Sequence, residues 1–144
     1  MITTDKMGGF VAARILAVRD IYSFQTTASF IRIVPKTGKE FQTLDIVKNG
    51  INPDFPTSVG KNGFSQTISV EITLREPSDI HFLAYNRYIL LLTDPMGNTK
   101  VCGTREFPLT ITKQPIASAS ASGRSGEMLK IYGKQPVELR NLLK

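Results

Sequence analysis

Residues 64–74 (FSQTISVEITL) carry the pattern that most constrains the fold. Ile68, Val70, Ile72 and Leu74 alternate with polar residues over this stretch. A period of two places alternate side chains on one face of a strand, whereas a helix would scatter the same residues around its circumference. The segment is also rich in β-branched residues, which favour strands. It therefore predicts a β-strand with one buried face.

A hairpin is predicted downstream, where residues 88–93 (YILLLT) and 99–103 flank the turn sequence DPMGN. Pro95 fixes φ at the second position of the turn, and Gly97 tolerates a positive φ. The three consecutive leucines indicate a strand that is covered on both faces.

A second hairpin is predicted upstream. Residues 29–35 (SFIRIVP) and 40–47 (EFQTLDIV) resemble strands and flank the short polar connection KTGK at 36–39. A short connection that contains glycine between two such segments is a hairpin signal.

Other strand signals are shorter. Residues 107–112 (FPLTIT) and 128–132 (MLKIY) read as strands, and Gly133 is expected to stop the second. Residues 10–18 read as a strand or a short helix, and residues 136–143 (PVELRNLL) as a short helix or an extended tail.

One internal helix is predicted over residues 78–84, capped by Ser78 or Asp79, with a continuous strand as the competing interpretation. About eight strand-like segments in 144 residues predict a mainly β fold, either an antiparallel β-sandwich or a small barrel, with one or two short helices. The length suits a single domain over residues 1–144.

Two segments lack the bulky side chains or the periodicity of a core. Residues 49–62 (NGINPDFPTSVGKN) hold two prolines, two glycines and three asparagines and are predicted to form a long loop. Residues 114–126 are rich in Ala, Ser and Gly and are predicted to form a flexible loop or arm. Both segments are candidates for contact with a partner.

The net charge of +6 is concentrated near the C-terminus. Residues 113–144 contain six basic and two acidic residues, which leaves +4 for that quarter of the chain. Such an excess favours contact with nucleic acid or with an acidic protein surface. The residues predicted to contact a partner are Asn52, Asp54, Phe55, Lys61, Arg124, Lys130, Lys134 and Arg140.

Many chemistries lack their required residues. One Cys and one His exclude an internal disulfide and a His-based zinc site, and Cys102 is expected to be a small half-buried hydrophobic residue. No phosphate-binding loop or serine-hydrolase elbow is complete. We therefore expect no catalytic, cofactor or metal site. Without an apolar stretch of about 20 residues or a secretory leader, we expect a cytoplasmic protein with no membrane partner.

Two stretches carry a family resemblance. Residues 91–98 (LLTDPMGN) and 102–108 (CGTREFP) give a strand, a D-x-x-G turn and a G-T-x-E-x-P segment. Residues 123–126 (GRSG) and 129–136 (LKIYGKQP) give a glycine-rich link to a strand that ends in G-K-x-P. The pattern resembles small prophage structural proteins of Bacteroides-type gut bacteria. The resemblance implies a tail, neck or connector component that works by self-association.

Three functions follow as hypotheses. The first is a phage-derived structural or assembly protein that forms homo-oligomers and contacts other virion proteins. The second is a nucleic-acid-binding β-barrel module that uses the basic C-terminal region. The third, a carbohydrate- or peptide-binding β-sandwich, is ranked lower because Trp is absent and aromatic residues make up 8% of the chain.

Overall fold

The computed structural model describes residues 9–61, 63–75, 87–116 and 126–143. These residues form a mainly β sandwich of two sheets, as predicted, and they contain one short 3-10 helix, Val18–Asp20. The strands, in chain order, are β1 (Ala12–Ala17), β2 (Ile21–Thr26), β3 (Phe30–Pro35), β4 (Gln42–Thr43), β5 (Ile46–Asp54), β6 (Thr57–Gly60), β7 (Gly63–Leu74), β8 (Tyr88–Thr93), β9 (Thr99–Cys102), β10 (Thr110–Ile116), β11 (Gly126–Gln135) and β12 (Arg140–Leu142). No helix in the described ranges has the length and apolarity needed to cross a membrane.

The five-stranded sheet has the order β10-β11-β7-β5, and β6 pairs with the first residues of β7. All its pairings are antiparallel. The predicted strand at 64–74 lies at its centre as β7, and its alternating apolar residues are buried. The period of two therefore gave the correct buried face.

The seven-stranded sheet has the order β2-β3-β12-β9-β8-β1-β4. It contains the predicted β8–β9 hairpin, in which Leu91 is paired with Val101. In the turn, the Asp94 carboxylate accepts hydrogen bonds from the backbone N–H groups of Met96 and Asn98, each at 2.9 Å. The pairing between β12 and β3 is parallel and the other pairings of this sheet are antiparallel, in agreement with the predicted mainly antiparallel fold.

The seven-stranded sheet is curled. β1 and β2 lie five places apart in its order, which would separate them by about 24 Å in a flat sheet. Only Val18–Asp20 connects them, and a fully extended connection from Ala17 to Ile21 spans at most about 14 Å. Sheet curvature must therefore bring β2 towards β1. Arg105, in the β9–β10 connection, donates a side-chain hydrogen bond to the Ile21 carbonyl at 3.1 Å.

Apolar side chains are buried on both faces of the curled sheet, in two clusters. The intersheet cluster, which joins the two sheets, consists of Ala13, Ile15, Leu44, Ile68, Val70, Ile72, Leu74, Leu90, Leu92, Cys102, Leu109, Ile111, Leu129 and Ile131. The concave cluster, which lies on the other face of the curled sheet, consists of Leu16, Ile21, Ile31, Ile89, Leu91 and Val101. β8 supplies alternate residues to each cluster, which confirms that its leucine run is covered on both faces.

The predicted hairpin over 29–47 is wrong. β3 pairs with β2 and β12, whereas β4 pairs with β1 near the opposite edge of the sheet. The residues on either side of the KTGK connection do lie in strands, but their partners are distant in sequence. Gly38 in the connection has a φ of 80°, which suits glycine, but this turn does not pair the two strands with each other.

The long loop predicted over 49–62 is also wrong, because most of it is strand. β5 continues to Asp54, and β6 follows after two residues. The strand tolerates its glycine and asparagine at an irregularity: Asn49 has a φ of 58°, and the register with β7 shifts between Ile46 and Ile51. Such a bulge lets an edge strand carry residues that are unfavourable in regular sheet.

Gly133 does not stop its strand, contrary to prediction. β11 runs through it to Gln135. A Cβ atom at position 133 would lie 2.6 Å from the Leu109 Cδ2 atom, so glycine lets the buried Leu109 side chain approach the strand.

The segments near the two ends of the chain are extended rather than helical. Residues 10–18 contain β1, and residues 136–143 contain the short strand β12, so the extended alternative is correct for both. The helix predicted over 78–84 lies outside the described residues. So does most of the arm predicted over 114–126, whose ends belong to β10 and β11.

Candidate contact surface

The β6–β7 hairpin extends beyond the sandwich core. All four residues of β6 are exposed, and so are the first two of β7, which pair with them. Val59 is 81% exposed and is paired across the ribbon with Phe64. The turn joins Gly60 to Gly63, whose φ of 96° suits glycine, and exposed Lys61 lies at its tip. The hairpin therefore presents an apolar cross-strand pair to solvent.

An open groove of about 210 Å³ lies beside the base of this hairpin. Its apolar lining comes from Phe64, Phe107 and Pro136, and its polar lining includes the exposed Lys134. Phe64 thus contributes both to the hairpin and to the groove, so the two features form one continuous surface.

Buried polar contacts hold the groove in place. The Gln135 side chain is buried; its Oε1 atom accepts a hydrogen bond from the Gly103 N–H at 3.0 Å, and its Nε2 atom donates to the Val137 carbonyl at 2.7 Å. Phe107 is positioned by a tight turn in which its N–H donates to the Thr104 hydroxyl at 2.9 Å. Hydrogen bonds within the chain therefore position the residues that line the groove.

The outer face of the five-stranded sheet collects four of the predicted contact residues. Lys130 and Lys134 lie on β11, exposed on either side of Tyr132. Asn52 and Asp54 lie at exposed positions on the edge strand β5. The predicted residues thus share one face, although two of them were expected in a loop.

The register defines rows across this face. One row pairs Lys130 with Glu71, and Glu71 in turn with Asn52. Another runs from Tyr132 through Ser69 to Asp54. Each row contains a carboxylate, so the face is polar and mixed in charge rather than uniformly basic.

The other predicted contact residues lie elsewhere. Phe55 is half-buried and packs edge to face against Phe10, with ring centroids 6.4 Å apart, so it belongs to the core margin. Lys61 lies at the hairpin tip. Arg140 is half-buried on β12 in the other sheet, and Arg124 lies outside the described residues.

The C-terminal positive charge is divided among several environments. Lys113 forms an ion pair with the largely buried Glu127 at 3.9 Å, whereas Lys130 and Lys134 lie on the outer face and Arg140 lies in the seven-stranded sheet. Within the described ranges, the excess charge predicted from the sequence does not form one continuous basic patch.

The titratable groups suit structural roles. Burial raises the pKa of the Cys102 thiol to about 12, with a smaller opposing effect of Lys100. Burial also raises the pKa of Tyr88, partly opposed by Arg19. Cys102 is fully buried rather than half-buried as predicted. The described residues contain no group of His, Cys, Asp and Glu arranged to hold a metal ion.

Sequence reasoning missed Val59, Phe64, Phe107 and Tyr132. Phe64 carried a usable signal, because it is in phase with the buried residues of β7 but lies beyond the part of the strand that the core covers. Val59 was hidden in the segment predicted as loop. Phe107 was assigned to a strand that begins later, at Thr110.

Comparison of the chain with protein-family models, curated proteins and solved structures finds no match. Function is therefore inferred from the contact surface and from the turn pattern of the sequence. The surface offers a projecting apolar hairpin, an adjoining groove and a mixed polar face, which together suit contact with a macromolecule.

Proposed function

We propose that the protein is a non-catalytic structural component that works by associating with further copies of itself. The observation that carries this proposal is the exposed Val59–Phe64 pair on the projecting β6–β7 hairpin. A two-stranded ribbon is marginally stable in water unless it packs against something. An assembly would supply that packing.

The groove beside the hairpin supports the same proposal. Phe64, Phe107 and Pro136 extend the apolar surface from the hairpin onto the body of the sandwich. Contiguous exposed apolar surface with a polar rim is typical of protein–protein contact sites. Lys134 provides part of that rim.

We further propose that the assembly is of the phage tail, neck or connector type. This step rests on the sequence resemblance carried by residues 91–98, 102–108, 123–126 and 129–136. In this proposal, the protein is made in the cytoplasm and assembled into a virion-like particle with other virion proteins.

Light scattering across a concentration series tests self-association. We expect the native chain to exceed its monomer mass of 15.9 kDa as concentration rises. Val59→Lys places a charge in the apolar pair and should return the mass towards the monomer. Met96→Lys is the matched control, because Met96 is 80% exposed but lies at the β8–β9 turn.

A native chain that stays at 15.9 kDa at every concentration would contradict self-association. Equal effects of Val59→Lys and Met96→Lys would contradict the role of the hairpin. The phage part of the proposal is tested separately: rings or tubes in electron micrographs, together with tail or capsid genes beside its own gene, are the expected results.

Nucleic-acid binding is the second candidate. It is favoured by the exposed Tyr132, which lies between Lys130 and Lys134 on one face of β11, because basic residues with an aromatic side chain suit single-stranded nucleic acid. Binding to single-stranded DNA should then weaken steeply with salt and be lost in Tyr132→Ala. Absence of binding at low salt would remove this candidate.

A further inference from the structure

The C-terminal strand β12 occupies an unusual place in the fold. It is the last of the described strands in sequence, yet it lies inside the seven-stranded sheet, between β3 and β9. Among the described strands, β3 reaches the rest of this sheet through β12, because its other pairing is with the edge strand β2. β12 therefore fills a slot that separates the β2–β3 hairpin from β9, β8, β1 and β4.

The strand is held in the slot by few backbone contacts. It pairs parallel with β3 through Asn141 and Leu142, and antiparallel with β9 through Arg140 and Asn141. One more hydrogen bond follows, from the Leu143 N–H to the Ile31 carbonyl at 2.8 Å. All three residues of β12 are only half-buried, although β9 beside it contains fully buried residues.

Two leucines seat the segment in the core. Leu139 packs against the intersheet cluster, and Leu142 packs against the concave cluster. The segment thus caps both clusters at once, while the Oδ1 atom of Asn141 is buried without a hydrogen-bond partner. The slot therefore accommodates a short strand whose two leucines pack against the two clusters, and the fit leaves one polar atom unsatisfied.

We propose that the slot between β3 and β9 is an interaction site for the β12 strand of a second copy of this chain, so that assembled copies exchange their C-terminal strands. The structure shows the chain's own residues 139–143 seated in this slot, and a second copy carries the identical segment. Exchange preserves every contact of β12 and adds new ones between copies, which makes it a low-cost route to association. This inference deepens the proposed self-association and rests on it.

The connection to β11 is suited to such an exchange. Residues 136–139 join β11 to β12. A hinge connection this short leaves little slack for closure within one chain, and short hinges that closure strains invite swapping between copies. Two contacts hold the connection in place, both donated by the Gln135 Nε2 atom: to the Val137 carbonyl at 2.7 Å and to the Glu138 carbonyl at 3.4 Å. Release of these contacts frees the strand without disturbing the β7–β11 pairing.

Disulfide trapping distinguishes exchange from closure. Lys100 and Asn141 are directly paired across β9 and β12, at a separation that suits a disulfide. K100C/N141C is made in the Cys102→Ala background, assembled at high concentration, oxidised, and run on a non-reducing denaturing gel. The matched control is T93C/T99C in the same background. Thr93 and Thr99 are paired within the β8–β9 hairpin, with hydroxyl oxygens 2.9 Å apart, so their disulfide must form within one chain.

Exchange predicts that K100C/N141C gives covalent dimers or a ladder of chains, whereas T93C/T99C gives monomers. An assembly that light scattering detects but that yields disulfide-bonded monomers for both pairs would overturn strand exchange and leave self-association intact. A chain that is monomeric in solution and gives monomers for both pairs would overturn both proposals.

Lengthening the connection between β11 and β12 gives a second test, and it leaves the core residues unchanged. Insertion of four Gly-Ser residues between Glu138 and Leu139, after both carbonyls that the Gln135 side chain contacts, relaxes the hinge and should favour closure within one chain. Exchange predicts a fall in the oligomeric fraction by at least several-fold. An unchanged fraction would overturn it.

Discussion

The two sheets differ in how their strands are held together. In the five-stranded sheet, β7 and β11 form nine register pairs without interruption. In the seven-stranded sheet, β12 forms two pairs on each side and β4 forms two with β1. A long ladder between neighbouring strands resists local opening, whereas short ladders depend on the side chains packed around them.

Both candidate contact sites lie where backbone pairing or core coverage ends, one in each sheet. The projecting hairpin begins where β7 passes beyond the covered core, and the β12 slot lies where the ladders of the curled sheet are shortest. The hairpin is continuous with β7 and so with the uninterrupted β7–β11 ladder, whereas β12 lies in the other sheet. Association is therefore expected to involve segments that can be repacked at little cost to the rest of the fold.

The largest expected effect tests the central ladder. Ile72 is fully buried on β7, and Ile72→Ala removes three methyl or methylene groups from the intersheet cluster. We expect the free energy of unfolding to fall by about 3 to 4 kcal/mol. Denaturant titration measures this change. Thr73→Ala, on the outer face of the same strand, is the control and should change it by less than about 0.5 kcal/mol. Equal losses of unfolding free energy in the two variants would contradict the assignment of Ile72 to the buried face of β7 and of Thr73 to its outer face.

A smaller and more local effect is expected in the seven-stranded sheet. Leu142→Ala removes a half-buried side chain from the concave cluster and should cost about 1 to 2 kcal/mol. Hydrogen exchange should accelerate for amides of β2 and β3 before those of β7 and β11, because β12 joins the hairpin to the sheet. Leu143→Ala, at an exposed position, is the control. If hydrogen exchange accelerated equally in all strands, the two sheets would not differ in their resistance to local opening.

The fold could be predicted from the sequence where a strand or turn is specified by residues close together in the chain. The alternation in β7 and the turn chemistry of the β8–β9 hairpin are local, and both predictions are confirmed. β3 and β4 pair with distant strands, and no local pattern specifies such partners. Gly50 and Gly133 were read as breaking signals, but each permits close approach of neighbouring atoms within a strand, which depends on tertiary packing.

The candidate site was predictable only in part. Lys130 and Lys134 could be placed on one face by the strand period, since they are four residues apart. Asn52 and Asp54 join them because the β5 bulge sets the register of an edge strand, which composition alone does not reveal. The exposure of Val59 depends on how far β6 and β7 extend past the core, a property of the assembled sheets.

The thiol of Cys102 gives a pH test of the intersheet cluster. Burial raises its folded pKa to about 12 from an ordinary value of 9.0, so the unfolded state loses its proton first as pH rises. Stability should therefore fall with pH above about 9. Between pH 8 and pH 10 we expect the native chain to lose about 1 kcal/mol more than Cys102→Ala, measured by denaturant unfolding of both. Equal pH dependence in the two proteins would show that the thiol is accessible in the folded state.

The smallest expected effect concerns a hairpin that closes locally. In the β8–β9 turn, Asp94→Ala removes the acceptor of two backbone hydrogen bonds at exposed positions, where water can replace it. We expect a loss of about 0.5 kcal/mol in unfolding free energy. Light scattering should show unchanged association, because the turn is separate from both the β6–β7 hairpin and the β12 slot. Asp54→Ala, at an exposed position on β5, is the stability control. If Asp94→Ala altered association as strongly as Val59→Lys, contact between copies would extend to this turn. Association could then not be assigned to the β6–β7 hairpin and the β12 slot alone.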